Sequence, residues 1–278
     1  MTDSGVPNAD WHVYAMTGMP QHRPAALAGV WAKMRRAAAH HEALVDAVDA
    51  YLALPPYTIT EAIADGRKTI RAEASVPPPE DLALILGDLV QNLRSALDHM
   101  AYQFARTVKP NPSRRTQFPV MDQAPDDFGC ELQVRDIPLA VRDIMEEMQP
   151  YQPEHTVGGM IGRELASLRR LSNRDKHRLL LLAERLVVPK YVASNTPEGQ
   201  DSGVTFRQDP EGQWAEIIHP IDLRFGPYDA HFEAQVTLVE PDLPWRSGLE
   251  GIARGLYNET ATAIGAFRGE WSLLTDLT

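Results

Sequence analysis

A single cysteine, Cys130, serves the whole 278-residue chain. That excludes an intramolecular disulfide framework and a cysteine-ligated zinc cluster. Long apolar runs are missing too, since none approaches the roughly 18 residues needed to cross a bilayer. The first twenty residues, MTDSGVPNADWHVYAMTGMP, lack the basic-then-apolar pattern of a secretory signal, so a cytoplasmic protein is expected. Positive charge is scarce: 27 Lys and Arg face 38 Asp and Glu, a formal net charge of −11. This argues against a general nucleic-acid coat protein but leaves room for a small basic site. Common catalytic signatures are absent as well: no glycine-rich loop before a Lys-Ser/Thr pair, no HExxH and no Gly-x-Ser-x-Gly elbow. His40 and His41 are adjacent, so they point to different helix faces and make a poor metal clamp. No cofactor and no metal are expected, and there is no internal repeat.

What is present reads as a globular α+β protein, mainly α, with 44% apolar and 23% charged residues. Residues 1–23, polar and broken by Pro7 and Pro20, are expected to be a flexible N-terminal segment. Residues 24–278 are expected to form one helical domain with β insertions at 57–76 and 190–240. Pro24 suits a first helical position. Leu27, Val30, Trp31, Met34, Ala38, Leu44, Val48 and Leu52 then keep helical spacing, with His41 in the same stripe as a core-edge histidine. After Pro55-Pro56, Tyr57, Ile59 and Ile63 precede Asp65-Gly66, and Ile70, Ala72, Ala74 and Val76 follow, which is a hairpin signal with a primed turn.

Residues 81–106 form the first long helix, with Leu86, Leu89, Leu93, Leu97, Met100 and Phe104 as its apolar stripe. The proline-rich stretch 107–135 reads as an extended loop that anchors Phe118 and Val120 in the core. A short helix covers 137–148, and a second long helix is expected over 159–188, with Leu165, Leu168, Leu171, Leu179, Leu182 and Leu186 inward. Period-two patterns at 204–206, 217–225 and 231–239 predict a C-terminal β-meander, the last two strands joined through Gly226-Pro227. Together with the hairpin it would make one antiparallel sheet beside the helical bundle. Leu249, Ile252, Leu256, Ala263, Ile264, Phe267 and Trp271 define a final helix.

Two formal charges intrude into the apolar stripes, Arg94 in the first long helix and Asp175 in the second. An unpaired charge there is costly, so the two are expected to pair with each other. Residues 160–190 hold eight Lys and Arg against Glu164, Asp175 and Glu184, a basic stretch in an acidic chain. Arg170, Asn173, Arg174 and His177 project to one side of it, a surface suited to phosphate, with Arg178 beside them.

Arg94-Ser95-Ala96-Leu97-Asp98-His99, an arginine and a histidine four residues apart inside an amphipathic helix, resembles the motif of the HEPN superfamily of helical ribonucleases and binding domains. The stretches around it, from Asn92 to His99 and from Asn173 to Arg178, resemble an uncharacterised bacterial branch. The resemblance implies a HEPN-like helical bundle and metal-independent RNA cleavage, in a toxin or defence component. Arg94 and His99 would be catalytic. Asn92, Asp98, Asn173, Lys176 and His177 would support them, and Arg170, Arg174 and Arg178 would bind phosphate. Arg94 would take the scissile phosphate and His99 would act as acid or base. A five-residue step turns the two side chains roughly 140° apart, so the site would be completed across a homodimer, with an antitoxin or regulatory protein as a further partner. The alternative is a catalytically silent HEPN-like binding or scaffold protein in which Arg94 and Asp175 are a structural pair.

Overall fold

Two consecutive residues with positive φ, Asp65 at 52° and Gly66 at 71°, close the expected hairpin. This is the backbone of a primed turn: glycine adopts it freely and aspartate tolerates it better than most side chains. The hairpin belongs to a computed structural model that describes residues 24–54, 57–153, 155–177, 183–192, 205–209, 214–220, 229–238, 248–275 and 277.

A 3-10 turn, Ala25–Leu27, leads into α1, Ala28–Ala53. Pro24 is the cap of that turn and not its first helical residue; its carbonyl accepts the Leu27 N–H. The hairpin strands are β1, Tyr57–Ala64, and β2, Arg67–Ala74. Then come α2, Glu80–Val108, with Glu80 and Asp81 in its first turn, and α3, Leu139–Glu147. Next is α4, Val157–His177, with Arg174, Lys176 and His177 in its last turn. Both ends suit the helix dipole. The remaining elements are β3, Ala183–Val192, β4, Thr205–Gln208, β5, Trp214–Pro220, β6, Asp229–Leu238, and α5, Leu249–Ala266, which continues as the 3-10 stretch Phe267–Leu274. The protein is mainly helical with antiparallel sheet. No helix among the described residues is long and apolar enough to cross a membrane.

Two expectations are corrected. The second long helix does not reach residue 188. It ends at His177, and residues 183–188 lie in β3, where Leu186 pairs with Gln235. A run of leucines fits either period, and the β-branched Val187, Val188 and Val192 favour a strand. The C-terminal meander is not formed either. β5 lies between β2 and β4 in a sheet of order β1-β2-β5-β4, while β6 pairs with β3 in a separate two-stranded sheet. The pairing of β2 with β5 does join the two β excursions, as expected, with Ile70 opposite Ile217 and Ala72 opposite Ala215. Residues 1–23, Val204, Gly226-Pro227, Leu179 and Leu182 lie outside the described residues.

The chain divides into two compact units. The helical unit takes its described residues from Met1–Ala43, Ile85–Leu180 and Ile252–Thr278. Its core contains the stripe of α2 from Leu86 to Phe104, with Phe104 and Phe118 both against Phe267 at ring distances of 5.7 and 6.3 Å. Each buried leucine here is worth about 2–5 kcal/mol against alanine. The second unit, from Leu44–Leu84 and Leu181–Gly251, has its own small core of Ile70, Ala72, Ala215, Ile217 and Phe232.

One joint in the helical unit fixes the start of α4. Gly158, Gly159 and Gly162 lie against the backbone of Glu147, Pro153 and Gln149 respectively; a Cβ on Gly162 would stand 2.6 Å from the Gln149 carbonyl. No side chain fits there.

Candidate functional site

The loop from Phe118 to Met121 is buried at Phe118, Pro119 and Val120, so its backbone polar groups must find partners inside the protein. Arg94 Nη2 donates to the Phe118 carbonyl (2.6 Å), and the Phe118 N–H donates to Asp98 Oδ1 (3.0 Å). Gln149, fully buried, donates to the Pro119 carbonyl (3.1 Å) and accepts the Met121 N–H (2.9 Å). Arg169 Nη1 donates to the Val120 carbonyl (3.2 Å) and its Nη2 pairs with Asp122. Four side chains from α2, α4 and the end of α3 thus hold one loop.

The expected pair between Arg94 and Asp175 is not formed. Arg94, 9% exposed, grips Asp98 one turn along its own helix, with Nη2 to Oδ1 at 2.9 Å and Nε to Oδ2 at 3.2 Å. The i,i+4 spacing places that carboxylate within reach without ordering a second helix, and the Phe118 carbonyl supplies the rest. Asp175, only half-buried, accepts from Gln91 Nε2 (2.7 Å), which also donates to the Ser172 carbonyl (3.0 Å). The contact between the two long helices therefore runs through an uncharged amide. Burial pushes the Asp98 carboxyl above its ordinary range, against the opposing pull of Arg94 and the Phe118 N–H.

His99 turns elsewhere. Its side chain is exposed and lies over Gly29 of α1, where a Cβ would come within 2.9 Å of Nδ1. The near-opposite projection expected from the five-residue step separates it from Arg94. Asn92 donates to the Asp88 carbonyl of its own helix (2.7 Å) and joins neither.

Two concave sites remain beside α4. A cavity of about 230 Å³ is lined by Arg94, Asp98, Gln117, Val120, Gln133, Arg169, Asn173 and Lys176. An open groove of about 500 Å³ is lined by Arg169, Arg170, Asn173, Arg174 and His177. The structure thus gathers Arg94, Asp98, Asn173 and Lys176 at one place, and Arg170, Arg174 and His177 at its neighbour. Arg178 lies outside the described residues. No protein-family model, curated protein or solved structure matches this chain.

Sequence pattern does not single out Arg169, Gln133 or Gln117. Arg169 counted toward the basic stretch but had no assigned place, although it lines both sites. The glutamines carry neither charge nor hydrophobic period, so nothing in the sequence marks them. Among the described residues no three His, Cys, Asp or Glu side chains gather to hold a metal ion. Cys130 donates to Asp127 (3.1 Å), and that carboxylate pushes the thiol's pKa up, which disfavours a thiolate nucleophile.

Proposed function

We propose that this protein is a HEPN-like RNA-binding protein of the cytoplasm that holds its ligand by the phosphate backbone and does not cut it. The observation that carries this reading is the engagement of Arg94: its guanidinium holds Asp98 and the Phe118 carbonyl, and His99 faces away over Gly29. A pair so arranged within one chain does not grip a scissile phosphate. The groove on α4 supports the binding half. From Arg170 to His177 the helix rises about 10 Å, long enough to meet more than one phosphate, and all five lining residues can donate hydrogen bonds to phosphate oxygens.

The test is fluorescence anisotropy with mixed-sequence RNA over a salt series. About three phosphate contacts give a log–log slope near −2 for a single strand, and the double variant Arg170→Glu/Arg174→Glu loses binding. Unchanged affinity in that variant overturns the reading. A metal-independent endoribonuclease assembled across a homodimer, in a toxin system with a regulatory partner, is favoured by one observation, the exposed His99. RNA cleavage that persists in EDTA and disappears in His99→Ala would replace the binding reading with that one.

A further inference from the structure

The cavity next to the groove is unusual in its hydrogen bonding. Arg169 Nε and Gln133 Oε1 are both buried with no partner, and both side chains line it. Buried polar groups are rarely left so, because each has given up its water without a replacement. Arg94, nine-tenths buried, donates through Nε and Nη2, and among the described residues Nη1 makes no hydrogen bond. Lys176 and Asn173 bring an ammonium and an amide to the same space. Asp98 is paired with Arg94 and Asp122 with Arg169, so the three cationic side chains keep an excess of about one positive charge and the lining favours an anion.

We infer that this cavity is a receptor for the terminal phosphate monoester of a nucleic-acid strand, a deepening that rests on the RNA-binding reading above. An internal diester presents two non-bridging oxygens and needs room for the strand on both sides, whereas a monoester presents three. Its three non-bridging oxygens need several donors converging from different directions. Arg94, Arg169 and Lys176 supply charged ones, and Gln117, Gln133 and Asn173 supply amides. The Gln133 amide turns its Nε2 inward when an oxygen arrives, since its two ends are nearly isosteric. A carboxylate, with two oxygens and about four acceptor sites, would leave about two of these six groups without a partner. The volume suits a phosphate with part of its sugar and leaves no room for a strand passing through. Arg169 and Asn173 belong to both sites, so a strand lying in the groove brings its end to the cavity.

The experiment uses the full chain and one RNA sequence in three forms: 5′-phosphate, 3′-phosphate and hydroxyl at both ends. One phosphorylated form is expected to bind about tenfold more tightly than the hydroxyl form, the gain of about one charge-assisted hydrogen bond; which end wins identifies the source. Gln133→Glu places a carboxylate at the phosphate and should abolish the preference, while Gln133→Leu should reduce it. Because Gln133 Oε1 has no partner to lose, neither variant is expected to unfold. Equal affinity for all three RNAs, or a preference that survives Gln133→Glu, overturns the inference. Thermal melting with inorganic phosphate separates the two readings. A rise in melting temperature for the wild type but not for Gln133→Glu supports the cavity even if RNA fails to bind. No rise together with no end preference overturns the cavity and leaves RNA binding to the groove.

Discussion

The same residue type plays opposite parts within the helical unit, and Arg169, which also lines the groove, stands at the boundary. Arg94 and Arg169 reach inward and hold backbone carbonyls of one buried loop, and Arg142 does likewise nearby, donating to the Ile137, Gly129 and Arg135 carbonyls. Arg170 and Arg174 line an open groove. A count of positive charges treats these arginines alike. Their surroundings do not: the first group substitutes for secondary structure in segments without a ladder, and the second faces solvent and whatever enters the groove. A basic stretch in a sequence is thus a mixture of staples and contacts, and stability measurements can sort them.

The largest effect should come from Arg94→Ala. It leaves the half-buried Asp98 without its cation and the buried Phe118 carbonyl without a donor, a loss of about 2–4 kcal/mol in urea unfolding. A near-native melt would move Arg94 from staple to contact. Gln149→Leu removes the bonds to Pro119, Met121 and Met145 while keeping apolar bulk, and should cost about 2–3 kcal/mol. A loss below about 1 kcal/mol would mean that the loop is held mainly by Phe118 packing.

A smaller effect tests burial without a staple. Glu164 on α4 is raised to about 7 by desolvation, helped by Glu259 and opposed by Arg163, and its Oε2 is buried with no partner. Between the usual carboxylate range and pH 7 the folded state holds a proton that the unfolded state has released, so stability falls as pH rises through this window. Glu164→Gln should therefore stabilise by about 1–2 kcal/mol at pH 8, after allowance for partial exposure, and the gain should vanish below about pH 4.5. A pH-independent difference would assign the effect to packing. Smallest of all, Arg170→Ala should change unfolding free energy by less than about 0.5 kcal/mol while lowering the salt slope of RNA binding by about 1.

The parts of the fold legible in sequence were those written in local pattern. Asp65-Gly66 announced its turn, the leucines of α2 announced its buried face, and Phe118 and Val120 were placed in the core although they lie in a loop. The end of α4 was not legible, because consecutive leucines carry no period with which to separate helix from strand. Nor was the partner of Arg94. A charge inside one apolar stripe suggests a charge inside the other, but the guanidinium finds Asp98 one turn away and a carbonyl 24 residues downstream. Backbone carbonyls are invisible in a list of side chains, so a staple to one looks like an unpaired intruder.

The glycine joint at the start of α4 makes the groove sensitive to a place it never touches. His177 stands fifteen residues beyond Gly162, about 22 Å along the axis. Any side chain at Gly162 must push the Gln149 backbone or tip the helix. A tilt of only about 10° swings the far end by about 4 Å, more than the length of a hydrogen bond. On the RNA-binding proposal, a genetic selection for lost binding would recover substitutions at this glycine alongside those at Arg170 and Arg174. Their distance from the ligand would reflect leverage, with no second binding site behind it.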